Sequence, residues 1–287
     1  YTTFGMRFDD NEHAGNEDSH RISFAYLTGN NNTKIHGTYG TSYRYPSLVE
    51  QFDSAAWKES KDKGVLTAEV GKSHDIGIGR SFFENKLNLD LTYFNHEYTD
   101  NLAGWKDAPS DFNTFYHNQP GLIKSEGFEL GGKWLAMENL NFGLAYTLSR
   151  TYDGEDADDA LNKDGKSGGT GGGAFTDTRM VRVPRHMLGL NTYYKFSDKN
   201  ISLNLQTIGA TDARDYGNFN SPKHGSSYAD VKLPAYFVNH LTVNYDLIPG
   251  YDIFFKITNL TNESYHTALH YSQPKRGFNF GLKKSFD

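Results

Sequence analysis

Large aromatic side chains in the long polar segments of the chain are the residues best suited to bind a ligand. They are Trp57, Trp105, Phe115, Tyr116, Tyr216, Phe219 and Tyr271. An apolar side chain of this size in an exposed loop needs a partner, which is either another loop or a bound molecule. The sequence leaves both interpretations open, and we treat these residues as candidate ligand contacts.

Acidic and histidine side chains are the candidates for metal binding. Asp153, Asp156 and Asp158 belong to an Asp-rich run that offers the oxygen ligands calcium favours, but the run does not follow the EF-hand pattern. A solvated run of charge is the favoured interpretation, and a structural calcium ion is the alternative. His266 and His270 lie four residues apart in a predicted loop, where that spacing does not place two side chains on one face. We predict no other metal and no cofactor.

Enzyme motifs in the chain are incomplete or misplaced. The Gly-Lys-Ser triplets at 71–73 and 165–167 lack the earlier glycine of a phosphate-binding loop. Residues 165–169 spell Gly-x-Ser-x-Gly, but in a low-complexity tract rather than at a strand-to-helix turn. The chain has no cysteine, which excludes disulfides, thiolate metal sites and cysteine nucleophiles. Its net charge of −6 gives no reason to expect nucleic acid. We predict that the protein is not an enzyme.

Strand-like runs with a two-residue period must position these side chains. The clearest is Lys86–Asp100, in which Leu89 and Leu91 alternate with Asn88 and Asp90. Twelve such runs can be counted, separated by five short turns and six long loops in strict alternation. The long loops are predicted at 9–19, 44–64, 101–117, 151–180, 211–233 and 261–274.

This alternation predicts an all-β transmembrane antiparallel β-barrel spanning residues 1–287. Membrane barrels place short turns on the periplasmic side and long loops outside, and a tilted spanning strand needs ~9 to 11 residues. A mean hydropathy of −0.68 provides no run long enough for a transmembrane helix, but a barrel faces lipid with only every second residue. A soluble carbohydrate-binding β-protein would also suit the 15% aromatic content. It gives no reason for all the long connections to lie at one end.

The polar phase of these strands is predicted to face the lumen. It includes His36, Asp90, Glu129, Lys133 and Asn191. A barrel of ~22 strands would need a plug, whereas one of ~16 to 18 would form an open pore. Two functions of different classes follow, a ligand-gated transporter and a passive porin-like channel.

Five stretches of the chain carry motifs whose order along the sequence is characteristic of a known family. They are His36–Phe52 with Arg-x-Pro-Ser-Leu at 44–48, Lys124–Trp134 with Gly127 and Glu129, Val183–Leu190 with Pro-Arg-His, Leu233–Leu247, and Ile257–Tyr265 with Asn-Leu and a following Tyr. Together they resemble the C-terminal part of the barrel of TonB-dependent outer-membrane receptors. Phe286 is similar to the terminal Phe of that family, although Asp287 follows it here.

The resemblance implies about twelve strands from the C-terminal portion of a 22-stranded plugged barrel, with the plug domain and early strands absent. It implies active uptake of a large, scarce nutrient in the outer membrane of a Gram-negative bacterium. The implied partners are the TonB–ExbB–ExbD complex, acting through the missing N-terminal part, and the lipid and lipopolysaccharide of the membrane. The resemblance is greatest to the cobalamin receptor branch. A ferric-siderophore or haem receptor is the alternative.

Overall fold

The main feature of the fold is one large antiparallel sheet. The computed structural model describes residues 1–30, 32–52, 66–105, 115–119, 122–153, 179–221 and 225–285. Within these ranges twelve strands pair in sequence order. They are β1 (Thr2–Asn11), β2 (Gly15–Leu27), β3 (Thr33–Arg44), β4 (Glu69–Phe82), β5 (Leu87–Thr99), β8 (Ile123–Met137), β9 (Leu140–Asp153), β10 (His186–Lys195), β11 (Ile201–Ala210), β14 (Tyr236–Ile248), β15 (Tyr251–Thr258) and β18 (Gly277–Lys284).

The remaining elements lie in the connections between these strands. They are the helix α1 (Leu48–Phe52) and the hairpins β6 (Asn101–Trp105) with β7 (Phe115–Gln119), β12 (Ala213–Ser221) with β13 (Gly225–Leu233), and β16 (His266–Ala268) with β17 (Tyr271–Ser272). In the described part of the chain, no helix is long and apolar enough to cross a membrane.

Two neighbouring rows of residues show how the sheet separates its faces. One row, in register from β2 to β14, is Tyr26, Ile35, Ile78, Leu91, Leu130, Tyr146, Leu188, Gly209 and Phe237. The adjoining row is Ala25, His36, Gly77, Thr92, Glu129, Thr147, Met187, Ala210 and Tyr236. Successive residues of a strand point to opposite sides, so the first row lies on an apolar face and the second on a polar face. The predicted strand phases are confirmed.

The apolar face is exposed rather than covered by another layer. Phe278 and Phe280 of β18 are 64% and 72% exposed, and Phe4 and Phe8 of β1 are similarly open. The buried apolar side chains among the described residues gather instead near the ends of strands and in the connections. Examples are Leu66, Leu102 and Leu233. An exposed apolar surface of this size indicates contact with a membrane or with another apolar partner.

From β2 onwards, the connections confirm the predicted alternation of lengths, whereas the β1–β2 connection is short. Five short turns join strands at one end of the sheet, at 28–32, 83–86, 138–139, 196–200 and 249–250. In an antiparallel sheet paired in sequence order, every other connection lies at the same end. The long connections therefore all lie at the opposite end, which we call the long-loop end.

The boundaries of several predicted loops were wrong. The loop predicted at 9–19 is a strand hairpin that turns at Glu12–Ala14, with Asn11 paired to Gly15. Backbone hydrogen bonds hold such a ladder together, so polar side chains do not prevent it. Three other predicted loops contain the small hairpins. Conversely, the loop predicted to end at residue 180 continues to residue 185, and β10 begins only at His186. Pro184 has no N–H to donate to a ladder.

Candidate ligand-binding face at the long-loop end

The segment after β3 is organised by a helix cap. The Ser47 N–H donates to Glu50 Oε2 at 2.6 Å, and the Glu50 N–H donates to Ser47 Oγ at 3.3 Å. This reciprocal pair is a capping box, which satisfies backbone donors at the start of α1. The Pro-Ser-Leu motif identified in the sequence therefore marks a turn from strand into helix.

Arg44 connects this helix to the sheet. Its Nη1 donates to Glu50 Oε2 at 3.2 Å and its Nε donates to Glu69 of β4, while the Leu102 N–H of β6 donates to Glu69 Oε1 at 2.7 Å. Burial raises the pKa of the Glu69 carboxyl, but the hydrogen bonds from Arg44 and Leu102 outweigh it, and the pKa lies below its usual value. The pKa of Glu50 is also lowered, because hydrogen bonds from Ser47 and Arg44 outweigh burial.

Asn118 of β7 fastens the next part of the face. Its Oδ1 accepts the Thr67 N–H at 2.8 Å, and its Nδ2 donates to the carbonyls of Thr67 and Asp100 at 2.9 Å each. One amide side chain thus ties the end of the β3–β4 connection to the β6–β7 hairpin. The hairpin that carries several candidate aromatic residues is anchored at its base.

A buried carboxylate joins three further connections. Asp215 has 0% exposure, and it accepts Arg182 Nε at 3.0 Å and 3.1 Å on its two oxygens. The Leu269 N–H donates to Asp215 Oδ2 at 2.6 Å, and the Arg182 N–H donates to the Arg214 carbonyl at 2.7 Å. The hydrogen bond with Asp215 raises the pKa of Arg182. We call Arg182, Asp215 and Leu269 the Asp215 latch, since they link the segments before β10, after β11 and between β16 and β17.

Asn259 closes the last connection of the chain. Its Nδ2 donates to the carbonyls of Glu263 at 2.9 Å and Pro274 at 3.1 Å, and its Oδ1 accepts the Glu263 N–H at 2.7 Å. The residue adopts a φ of 49°, a left-handed conformation that Asn tolerates better than most residues. The rings of Tyr265 and Tyr236 contact each other in a tilted arrangement, with ring centroids 4.5 Å apart. The Asn-Leu and Tyr of the sequence motif are therefore structural parts of this loop.

A recess lies beside the Asp215 latch. It has a volume of about 350 Å³, and its wall includes Arg182, Met187, Leu233, Tyr236 and His266. Met187 and Tyr236 belong to the polar-face row described above. The recess therefore opens on the polar face, at the long-loop end of β10 and β14.

The candidate aromatic residues are only partly brought together. Trp105 and Phe115 are directly paired in the β6–β7 register, and the half-buried Tyr116 is their neighbour in β7. Tyr271 is 70% exposed at the start of β17. The backbones of Tyr216 and Phe219 lie in β12, and Trp57 lies outside the described residues. A role for these residues in binding stays a prediction.

The calcium candidate is also untested. Asp153 is the last residue of β9, whereas Asp156 and Asp158 lie outside the described ranges. Among the residues that are described, no group of three His, Asp or Glu side chains could hold a metal ion.

The sequence did not predict the residues that hold the connections of the long-loop end together. Arg182 and Asp215 are 33 positions apart, and neither belongs to a local motif that indicates the other. Asn118 gave no signal either. Asn259 was within a noted motif, although its clamping role needed the structure.

Comparison with known proteins defines the class to which this fold and face belong. The family profile described as TonB dependent receptor-like, beta-barrel matches residues 2–260. The chain belongs to this family.

Individual relatives are distant and longer than this chain. The vitamin B12 transporter BtuB of Vibrio cholerae serotype O1 is 21% identical over 281 residues, which cover 98% of this chain and 39% of the relative. The ferric-pyoverdine M114 receptor PbuA of Pseudomonas sp. strain M114 is 24% identical over 249 residues, covering 84% of this chain and 28% of the relative. The chain thus spans about two fifths of the BtuB relative.

Solved receptor structures share the fold. The siderophore receptor PirA from Acinetobacter baumannii superposes with a TM-score of 0.74 at 14% identity, over 99% of this chain and 43% of that one. The pyoverdine receptor FpvA of Pseudomonas aeruginosa superposes with a TM-score of 0.71 at 15% identity, over 95% of this chain and 36% of that one. The twelve-stranded sheet is therefore a receptor-type barrel sheet.

Proposed function

We propose that this chain forms part of the β-barrel of an outer-membrane receptor. The receptor takes up a large, scarce nutrient by TonB-dependent active transport. The observation that carries the proposal is the separation of the sheet into an exposed apolar face and a polar face, with fastened long connections at one end. In the outer membrane of a Gram-negative bacterium the apolar face would contact lipid and lipopolysaccharide. The long-loop end would face outside and meet the ligand.

A barrel as wide as the relatives suggest would have a filled lumen rather than an open one, although a polar face by itself would also suit an open pore. Residues 1–287 would form one part of a barrel domain wider than twelve strands, as the greater length of the relatives suggests. A plug domain would then lie against the polar face and couple to the TonB–ExbB–ExbD complex. This arrangement favours gated uptake over a passive porin-like channel.

Cobalamin is our first candidate ligand. The motifs around Tyr43 and Asn259 resemble those of cobalamin receptors, and the relative that matches 98% of this chain is a vitamin B12 transporter. The candidate contacts on the β6–β7 hairpin would meet the ligand first.

A ferric siderophore is the second candidate, and two specific observations favour it. The long-loop end carries Arg179, Arg182 and Lys232 near Asp212 and Asp215, and the partly exposed arginines would suit an anionic chelate. The second observation is the match to a ferric-pyoverdine receptor. Haem is a further member of the same class of large iron ligands.

Equilibrium binding to the purified full-length protein tests this proposal. Cyanocobalamin and ferric pyoverdine are titrated separately, and ion conductance is measured in planar bilayers without ligand. We expect saturable binding of one of the two ligands and no steady conductance. Steady conductance with no binding of either ligand would replace the receptor proposal with a passive channel.

A further inference from the structure

The recess beside the Asp215 latch has the form of a ligand subsite. Its volume of about 350 Å³ is at the lower end of the range for small-molecule pockets, ~300 to 1,000 Å³, so it suits one part of a larger molecule. It opens on the polar face at the long-loop end, where a ligand entering from outside would arrive under the proposed function.

Arg182 presents an anion-binding group to this recess. Its Nε is committed to both oxygens of Asp215, which fixes the plane of the guanidinium group. Among the described residues, no acceptor takes a hydrogen bond from its two Nη groups, and the side chain is 53% exposed. A guanidinium group held in this way keeps paired N–H donors for a second oxyanion.

The backbone of Arg182 also indicates an imposed geometry. Its φ of 64° is left-handed, which is uncommon for a residue other than glycine, Asn or Asp. The Arg182 N–H is held by the Arg214 carbonyl at 2.7 Å. Backbone strain of this kind persists only where surrounding contacts impose it, and it is enriched at binding sites.

The rest of the wall is mainly apolar. Val183, Pro184, Met187 and Leu233 supply aliphatic surface, while His266 adds a polar edge. A pocket with apolar walls and one oriented charged group recognises a charged group attached to an apolar or aromatic body.

We propose that this recess is a subsite that binds an anionic oxygen group carried on an apolar or aromatic body, with the Arg182 Nη groups as donors. The subsite rests on the proposed receptor function and deepens it. Two ligand sources share this chemistry. One is the phosphodiester beside the benzimidazole of cobalamin, and the other is the catecholate or carboxylate oxygen of a ferric chelate.

Three variants of the full-length receptor test the subsite. Arg182→Gln removes the charge, and Thr267→Phe enlarges a side chain of the recess wall while leaving both residues of the Arg182–Asp215 pair unsubstituted. Arg185→Gln is the matched control, because Arg185 is exposed on the same segment and is not part of the recess wall. Each variant is titrated with cyanocobalamin and with ferric pyoverdine, after heat-modifiable migration has confirmed a folded barrel.

We expect Arg182→Gln to weaken binding of the recognised ligand by about tenfold to a hundredfold, as loss of a charged hydrogen bond does. Thr267→Phe should also weaken it by about tenfold or more, since a blocked pocket loses its apolar contacts. Arg185→Gln should bind as the wild type does. The ligand whose affinity falls in both variants is the source of the anionic group.

The results that would contradict the subsite differ from those that would contradict the proposed function. If the wild type binds a ligand and Thr267→Phe binds it equally well, the recess is not a subsite and the receptor function stands. The same conclusion follows if Arg182→Gln and Arg185→Gln lose affinity equally. If the wild type binds neither ligand, both ligand choices of the proposed function fail, and the subsite fails with them.

Discussion

His36 Nε2 lies 3.1 Å from Asp90 Oδ2, although β3 and β5 are separated by the whole width of β4. The contact passes over Gly77 and Gly79 of β4, where a Cβ would come within 2.4 Å of the His36 ring and 2.6 Å of Asp90 Oδ2. Thr92 Oγ1 donates to Asp90 Oδ1 at 3.0 Å. Two glycines thus allow a polar bridge across one strand on the face we assign to the lumen.

Adding a methyl group at Gly77 should break this bridge. In Gly77→Ala the His36 ring and the Thr92 hydroxyl must both move, because the new Cβ would lie within 2.4 Å and 2.5 Å of them. We expect a loss of ~1 to 3 kcal/mol in the free energy of unfolding in detergent, typical of overpacking. Gly131→Ala is the control, since a Cβ there has nothing within 4 Å. Equal stability of the two variants would show that the bridge does not depend on Gly77.

Removing the charge of Asp215 should weaken the hydrogen bond that holds Leu269 in the connection between β15 and β18. Asp215→Asn leaves the Leu269 N–H and Arg182 Nε with a weaker acceptor. We expect amide hydrogen exchange at Leu269 to accelerate by about tenfold or more, because a charged hydrogen bond is replaced by a neutral one. Asp212→Asn is the control, since that carboxylate is partly exposed and lies 3.4 Å from Lys232. Unchanged exchange at Leu269 in Asp215→Asn would contradict the latch.

The Arg44 junction should weaken in acid. The pKa values of Glu50 and Glu69 are lower in the folded protein than in the unfolded chain. Their stabilising contribution is therefore complete above the unfolded value of about 4.3 and is lost as the pH falls through the folded values. Protection of the Leu102 amide, which donates to Glu69, should decline below about pH 4.

A charge-removing variant provides the comparison for this pH effect. In Arg44→Gln the protection of Leu102 should already be lower at pH 7 and change less between pH 5 and pH 3. Arg80→Gln, at the short-turn end of β4, should behave as the wild type. A parallel decline in all three proteins would mean that Arg44 does not govern the junction.

The aromatic residues of the β6–β7 hairpin should contribute to ligand binding. Trp105→Ala and Tyr116→Ala are each expected to weaken binding to the full-length receptor by about tenfold, the loss typical of a contact residue. Thermal stability should stay the same. Tyr26→Ala is the control, because Tyr26 is an exposed aromatic residue at the short-turn end. A large loss of stability with unchanged affinity would show that the hairpin aromatics only pack against their own loops.

The sequence was sufficient for the sheet because its signal is local. Alternation such as Leu89, Asp90 and Leu91 sets the face of each residue within one strand, and the register then aligns the faces across the sheet. The hairpins within the loops were missed because backbone ladders between polar residues leave no hydrophobic period. Arg182 and Asp215 were missed for another reason. Their pairing depends on how distant connections meet, which no spacing within the chain encodes.

Energised uptake is the most direct test of the central claim. Gram-negative cells that lack their own receptor for the recognised ligand would express the full-length protein, with and without functional TonB. Accumulation of cobalt-57 cyanocobalamin or iron-55 ferric pyoverdine is then measured over time. The receptor account predicts accumulation in cells with TonB and surface binding alone in cells without it. Equal accumulation in both strains would contradict it and indicate a passive channel.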